Sequence, residues 1–179
     1  LPDMDETEAR RRFLTARVAR LATVDAEGRP HLVPVVFAVL GDEIVTAVDG
    51  KPKRSPRLKR LRNIAAHPAV CLLVDAFDED WSRLWWVRAD GDARVVPPAA
   101  PEVGARETYG TAVAALREKY AQYRGRPPDG PVIAVAVHRW HGWLAAHGED
   151  PPGRPAPHAA HGGGRHGRDE CSGASARDG

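Results

Sequence analysis

The chain's 179 residues include 26 Lys and Arg against 24 Asp and Glu, a formal charge of +2, with 42% hydrophobic residues. That length suits one domain with its own core, and the near-neutral balance argues against a nucleic-acid partner, which calls for a strongly basic domain. No apolar run approaches membrane-spanning length, and the two cysteines, Cys71 in an apolar stretch and Cys171 in a polar one, give neither a disulfide framework nor a zinc spacing. The acidic start Leu1–Glu8 carries no apolar leader segment, so a soluble, cytoplasmic protein is expected.

In chain order, Asp5–Ala16 predicts a helix: acids occupy its first turn and Arg10, Arg11 and Arg12 come later, as the helix dipole favours. Phe13, Leu14 and Val18 are its expected inward residues. Val18–Val24 predicts a strand and Asp25–Gly28 a turn. His31–Leu40 predicts a longer strand, in which Pro34 implies an edge or a bulge. Gly41 and Asp42 turn the chain into Glu43–Asp49, so the three segments suggest an antiparallel meander. A helix is expected over Pro56–Ala66, with Leu58, Leu61, Ile64 and Ala65 on one stripe. Ala69–Asp75 predicts a strand buried on both faces, and Trp81–Val96 a strand bent or bulged near Gly91. Glu102–Tyr123 predicts a helix with Val113, Leu116 and Tyr120 inward, and Val132–Leu144 the last strand. From Gly148 onward large apolar residues vanish among Pro, Gly, His and Arg. The expected organisation is a folded domain over 1–147 and a disordered tail over 148–179. Six strands with a helix inserted after the third indicate a mainly β fold, an antiparallel β-barrel with flanking helices.

The stretch Asp49–Arg62 stands out. Seven cations (Lys51, Lys53, Arg54, Arg57, Lys59, Arg60 and Arg62) follow Asp49 with no acid among them. Between a strand and a helix start, such a run makes an anion site, because unpaired N–H groups and the helix dipole add to the side-chain charge. No Gly-x-Gly-x-x-Gly follows a strand and there is no Walker motif, which argues against a Rossmann or P-loop site. No Ser-His-Asp triad, paired carboxylates or thiol with a placed base is visible, so no catalytic side chain is assigned. The histidines His158, His161 and His166 lie in the Gly/Pro-rich tail, and no metal site is assigned there. Trp85 and Trp86 are adjacent on a strand and point to opposite faces; Arg88 shares the face of Trp86.

Gly28–Phe37 (Gly-Arg-Pro-His-Leu-Val-Pro-Val-Val-Phe), Thr46–Arg54, Arg62–Pro68, Leu73–Asp75 and Trp85–Gly91 together resemble the pyridoxamine 5′-phosphate oxidase-like split β-barrels. Within that group they are most similar to the branch using the deazaflavin coenzyme F420. The resemblance covers about Asp5 to Ala145. It implies a six-stranded, FMN-binding-like split barrel acting as a homodimer, with two cofactor sites at the subunit interface. The ring would lie against the strand backbones of Pro34–Phe37, Val35 and Val36 foremost, and of Thr46, Ala47 and Val48. Lys51, Lys53 and Arg54 would take the anionic group, with Arg57 and Arg60 continuing the groove and Trp86 and Arg88 as further contacts. FMN ends in one phosphate, whereas the deazaflavin coenzyme carries a phosphodiester and glutamates; the surplus of cations favours the latter. The implied function is an oxidoreductase passing hydride from reduced F420 to a small enone- or imine-like acceptor, the chemistry residing in the cofactor. The alternatives are an FMN-binding flavin reductase or pyridoxamine phosphate oxidase-like enzyme, a non-catalytic cofactor binder, and a nucleic-acid binder using Lys51–Arg62 with the Trp pair.

Overall fold

Asp5 opens the first helix, its carboxylate accepting the Glu8 N–H at 2.8 Å. In the computed structural model, which describes residues 3–48 and 58–145, this helix is α1 (Glu6–Thr15). Hydrogen bonds from Arg11 and Arg12 hold the Glu8 carboxyl down at about 2. Ala9 and Phe13, one turn apart, are buried, whereas Leu14 and Val18, expected to face inward, are 47% and 43% exposed. Leu14 lies about 100° round the helix from Phe13, and Val18 precedes the first long strand.

The strands are β1 (Asp3–Met4), β2 (Ala19–Val24), β3 (Pro30–Val35), β4 (Ala38–Leu40), β5 (Glu43–Ala47), β6 (Ala69–Ala76), β7 (Trp85–Val96) and β8 (Val132–Leu144). Seven of them follow the order β3-β2-β6-β7-β8-β5-β4, and β1 pairs with β8 off that path. Every pairing is antiparallel. The sequence suggests six strands; the additional long-path strand arises because His31–Leu40 is two strands at opposite ends of the order. The chain leaves the ladder at Val36 and Phe37. There the Tyr120 hydroxyl accepts the Phe37 N–H (3.0 Å) and points its own hydrogen toward the carbonyls of Phe37 (2.8 Å) and Arg17 (3.0 Å). A side chain thus supplies the partners that a strand neighbour would. The expected meander is broken at this point, and the two edges of the sheet are joined by a two-residue crossover. Pro34 lies, as its missing N–H requires, on edge strand β3.

The ladder between β7 and β8 shifts register between Asp90 and Gly91, the expected bulge. A Cβ at Gly91 would overlap the Ala136 carbonyl and approach the Val135 side chain to 2.9 Å. Gly91→Ala is therefore expected to cost about 2–3 kcal/mol in urea unfolding, the scale of overpacking against backbone. A variant as stable as the parent would show that the bulge relaxes freely.

Strand β6 alternates instead of being buried on both faces. Val70, Leu72 and Val74 are in the core while Cys71 and Leu73 are half-exposed. Among the helices, α2 spans Lys59–Ala66, with Leu58 as its N-cap; Pro56 and Arg57 fall outside the described residues. Ile64 is buried on the expected stripe, but Ala65 is exposed and Asn63 is buried, donating to the Thr23 hydroxyl at 2.9 Å. The expected Glu102–Tyr123 helix divides at Tyr120 into α3 (Val103–Lys119) and α4 (Ala121–Gly125). Phe13, Leu21, Phe37, Leu72 and Val87 belong to one core cluster. Ala112 and Leu116 of α3 build a second with Val45, Val132 and Ala134.

Candidate functional site

The expected ring-binding residues cluster near the crossover. Val35 ends β3 and is buried; Val36 is half-buried; Thr46 and Ala47 are buried at the end of β5. Ala38 pairs with Val45, which carries Val36 toward the Thr46–Val48 end of β5. Val48 is fixed beyond the strand, its N–H donating to Pro131 O at 2.9 Å and its carbonyl accepting the Gly130 N–H at 3.1 Å. A Cβ at Gly130 would overlap that carbonyl, so the close approach needs glycine. Lys51, Lys53, Arg54 and Arg57 lie outside the described residues. Arg60 stands in the first turn of α2, beside Lys59 and Arg62, and that turn contains no acid.

Lys59 is partly committed elsewhere. Its ammonium is 3.5 Å from Asp25, which also pairs with Arg29 at 2.9 Å. The Arg29 and Glu27 N–H groups donate to the same carboxylate (2.9 and 3.1 Å). Backbone donation from Arg29, with its side chain and the Glu27 N–H, holds the Asp25 carboxyl at about 2 against the effect of burial. Between this turn and α2 lies a cavity of about 410 Å³ lined by Arg29, Lys59, Arg62 and Asn63 among others.

Trp86 and Arg88 are in a different place. They line a groove of about 720 Å³ on the outer face of β2, β6 and β7, with Arg20, Leu32, Leu73 and Asp75. Its floor is apolar and its charges are paired. Arg20 meets Asp75 at 2.8 Å, and Asp90 is shared by Arg88 (2.9 Å) and Arg139 (2.8 Å). Burial raises the Asp90 carboxyl's pKa, but hydrogen bonds from Arg139 and Arg88 outweigh it and the net shift is downward. Cys71 also lines the groove; burial and Asp90 push its thiol up, so it is no ready nucleophile. Trp86 stacks on His141, centroids 5.3 Å apart and planes at 29°. Trp85 turns inward to the core, with the Arg12 guanidinium 5.0 Å from its ring. Trp86 is thus the outward tryptophan of the pair.

Among the described residues, the expected contacts therefore fall in three places: the crossover with the end of β5, the start of α2 by the Asp25 turn, and the outer groove. Sequence reasoning missed Arg20, Leu32, Leu73, Asp75, Asp90, Arg139 and His141. The signal was the period-2 alternation of β6, hidden because its outward residues Cys71 and Leu73 are themselves apolar. Among the described residues no three His, Cys, Asp or Glu side chains are placed to hold a metal ion, and no helix is long and apolar enough to cross a membrane. The tail histidines lie outside the described residues.

An antiparallel sheet whose two end strands are joined by a two-residue crossover, with flanking helices, is the frame of the split-barrel cofactor proteins. The pyridoxamine 5′-phosphate oxidase family model matches residues 6–144, and the chain belongs to that family. No curated protein sequence matches it significantly. Among solved structures, a conserved hypothetical protein from Mycobacterium tuberculosis is similar at 22% identity and TM-score 0.62, covering 89% of this chain and 93% of that one. A FAD-binding protein from Mesorhizobium loti is similar at 18% identity and TM-score 0.60, covering 79% and 95%. A heme storage protein from Vibrio cholerae is similar at 16% identity and TM-score 0.58, covering 78% and 93%. These likenesses are of fold.

Proposed function

We propose that the chain is an oxidoreductase that binds the deazaflavin coenzyme F420 at the interface of a homodimer. The observation that carries this reading is the acid-free, cationic start of α2, which follows the Thr46–Val48 end of β5 in a chain of the pyridoxamine 5′-phosphate oxidase family. The donor set suits such a group: backbone and buried apolar side chains for a planar ring, guanidinium and ammonium groups for a long anionic tail. When bound, the cofactor supplies hydride transfer to an enone- or imine-like small molecule. The chain's own residues bind and orient. Val35, Val36, Thr46, Ala47 and Val48 present a rigid, water-poor surface, and Lys51, Lys53, Arg54, Arg57 and Arg60 hold the tail. Trp86 and Arg88 of the outer groove reach the same site from the second protomer, which reconciles their separation from the crossover within one chain. The fold likeness to a FAD-binding protein favours a flavin, FMN in particular, as the second reading.

Equilibrium titration with oxidised F420, FMN and hemin tests the order. F420 is expected to bind tightest, and its affinity to fall with salt more steeply for longer glutamate tails. Lys53→Ala or Arg54→Ala is expected to weaken F420 binding by about 1–3 kcal/mol, the scale of a lost charge-assisted hydrogen bond. Lys59→Ala, whose ammonium already faces Asp25, should change it little. Tighter binding of FMN would reverse the two readings, and tighter binding of hemin would remove both.

A further inference from the structure

The C-terminal end of α3 holds a cation pair that the cofactor site does not use. The Lys119 ammonium lies 3.8 Å from the centroid of the buried Phe37 ring, 5.6 Å from that of Tyr120, and donates to Leu14 O at 3.1 Å. The Arg17 guanidinium lies 4.6 Å from the same Tyr120 centroid. Both cations therefore stand over one ring, and among the described residues no carboxylate forms an ion pair with either. The ionisable groups facing Lys119 are Arg17, from the segment after α1, and Tyr120, whose hydroxyl is engaged with the backbone of Phe37 and Arg17. Two positive charges at one tyrosine ring, close enough that Arg17 bears on the Lys119 charge, and one of them a half-buried primary amine, combine an anion subsite with a nucleophile.

We propose that Lys119 is a site of N-acylation by acyl phosphates, with Arg17 as the residue that positions the donor's phosphate. The neutral amine attacks the acyl carbonyl carbon, and the carbon–oxygen bond to phosphate breaks. Phosphate leaves with that oxygen and its electron pair, while the amine's proton passes to water. The guanidinium of Arg17 receives the phosphate oxygens, a pairing its planar donor fork suits. Loss of a proton leaves Lys119 one N–H for Leu14 O and a lone pair free for attack. Burial, and then the charge of Arg17, bring its pKa down to about 8, although the Phe37 ring face favours the ammonium. A substantial share of neutral amine near pH 8 is what a lysine nucleophile requires. Acylation abolishes the positive charge over Phe37 but keeps an amide N–H for Leu14 O.

The chain has four lysines, Lys51, Lys53, Lys59 and Lys119, so the modification can be read residue by residue. The full-length protein is incubated with acetyl phosphate at pH 8 and the acetylated peptides are quantified by mass spectrometry. Lys119 is expected to react about ten times faster than Lys59 or more, as an activated lysine nucleophile does, and to lose that advantage in urea. Arg17→Gln, at an exposed position, is expected to slow Lys119 several-fold toward acetyl phosphate, and less toward the uncharged N-acetoxysuccinimide. The proposal is overturned if Lys119 reacts no faster than Lys59, if its advantage survives unfolding, or if Arg17→Gln affects both donors equally.

Discussion

Phe37→Ala should lower the stability of the fold by about 3–5 kcal/mol in urea unfolding, the cost of emptying a fully buried aromatic site. The Phe37 side chain is wholly buried and packs on Phe13 at 4.9 Å between centroids, and Phe13 packs in turn on Trp140 at 5.1 Å. Its ring also carries the ammonium of Lys119. Collapse of the site is hindered because the Phe37 backbone is held by Tyr120 and the strands on either side run to opposite edges of the sheet. Tyr120→Phe offers the comparison: it keeps the ring and removes only the hydroxyl bonds, for about 1–3 kcal/mol. A loss below about 1.5 kcal/mol for Phe37→Ala would mean that neighbouring side chains fill the space, and that the crossover is not a rigid point of the barrel.

Leu73→Lys should turn the proposed homodimer into a folded monomer with weakened cofactor binding. Leu73 lies between Arg20 and Arg88 in the cross-strand register, on the outer face where it is half-exposed in a single chain. An ammonium there meets water in a monomer and is tolerated. In a dimer that covers this face it would be buried twice by symmetry, each time between two guanidiniums with no acid added. Several kcal/mol of penalty correspond to a rise of roughly 10³-fold or more in the dimer dissociation constant. Light scattering reads the mass, circular dichroism the fold, and an F420 titration the consequence for the site. A variant that remains dimeric and binds cofactor like the parent places the interface on another face; an unfolded variant would show that this face belongs to the core of the single chain.

The parts of the fold readable from sequence are those set by neighbours in the chain. Strand β8 occupies Val132–Leu144 as expected, Asp5 caps α1, and the β7 irregularity falls at Gly91. The break at Val36 and Phe37 was not readable, because the run Leu32–Leu40 through it is apolar throughout. What interrupts it is the hydroxyl of a residue 83 positions away. At the candidate site, alternation shows that Trp86 and Arg88 share a face, and the structure confirms that they share a groove. It does not show which of Trp85 and Trp86 turns outward, since that depends on which side α1 covers. The outward residues of β6 were hidden for a related reason: Leu73 and Cys71 have core-like side chains on a surface that, on the proposed reading, a second protomer covers.

The Tyr120 hydroxyl also orders events in time. Arg17 and Phe37 belong to the first part of the chain to be synthesised, yet their backbone groups wait for a partner made 83 or more residues later. Until α3 docks, β3 and β4 end in unpaired carbonyl and amide groups, and the half-made sheet presents open edges of the kind that recruit other chains. Closure of the barrel thus involves contacts of large sequence separation and falls late in folding. A nascent or truncated chain ending before Tyr120 is, for this reason, the form most exposed to aggregation.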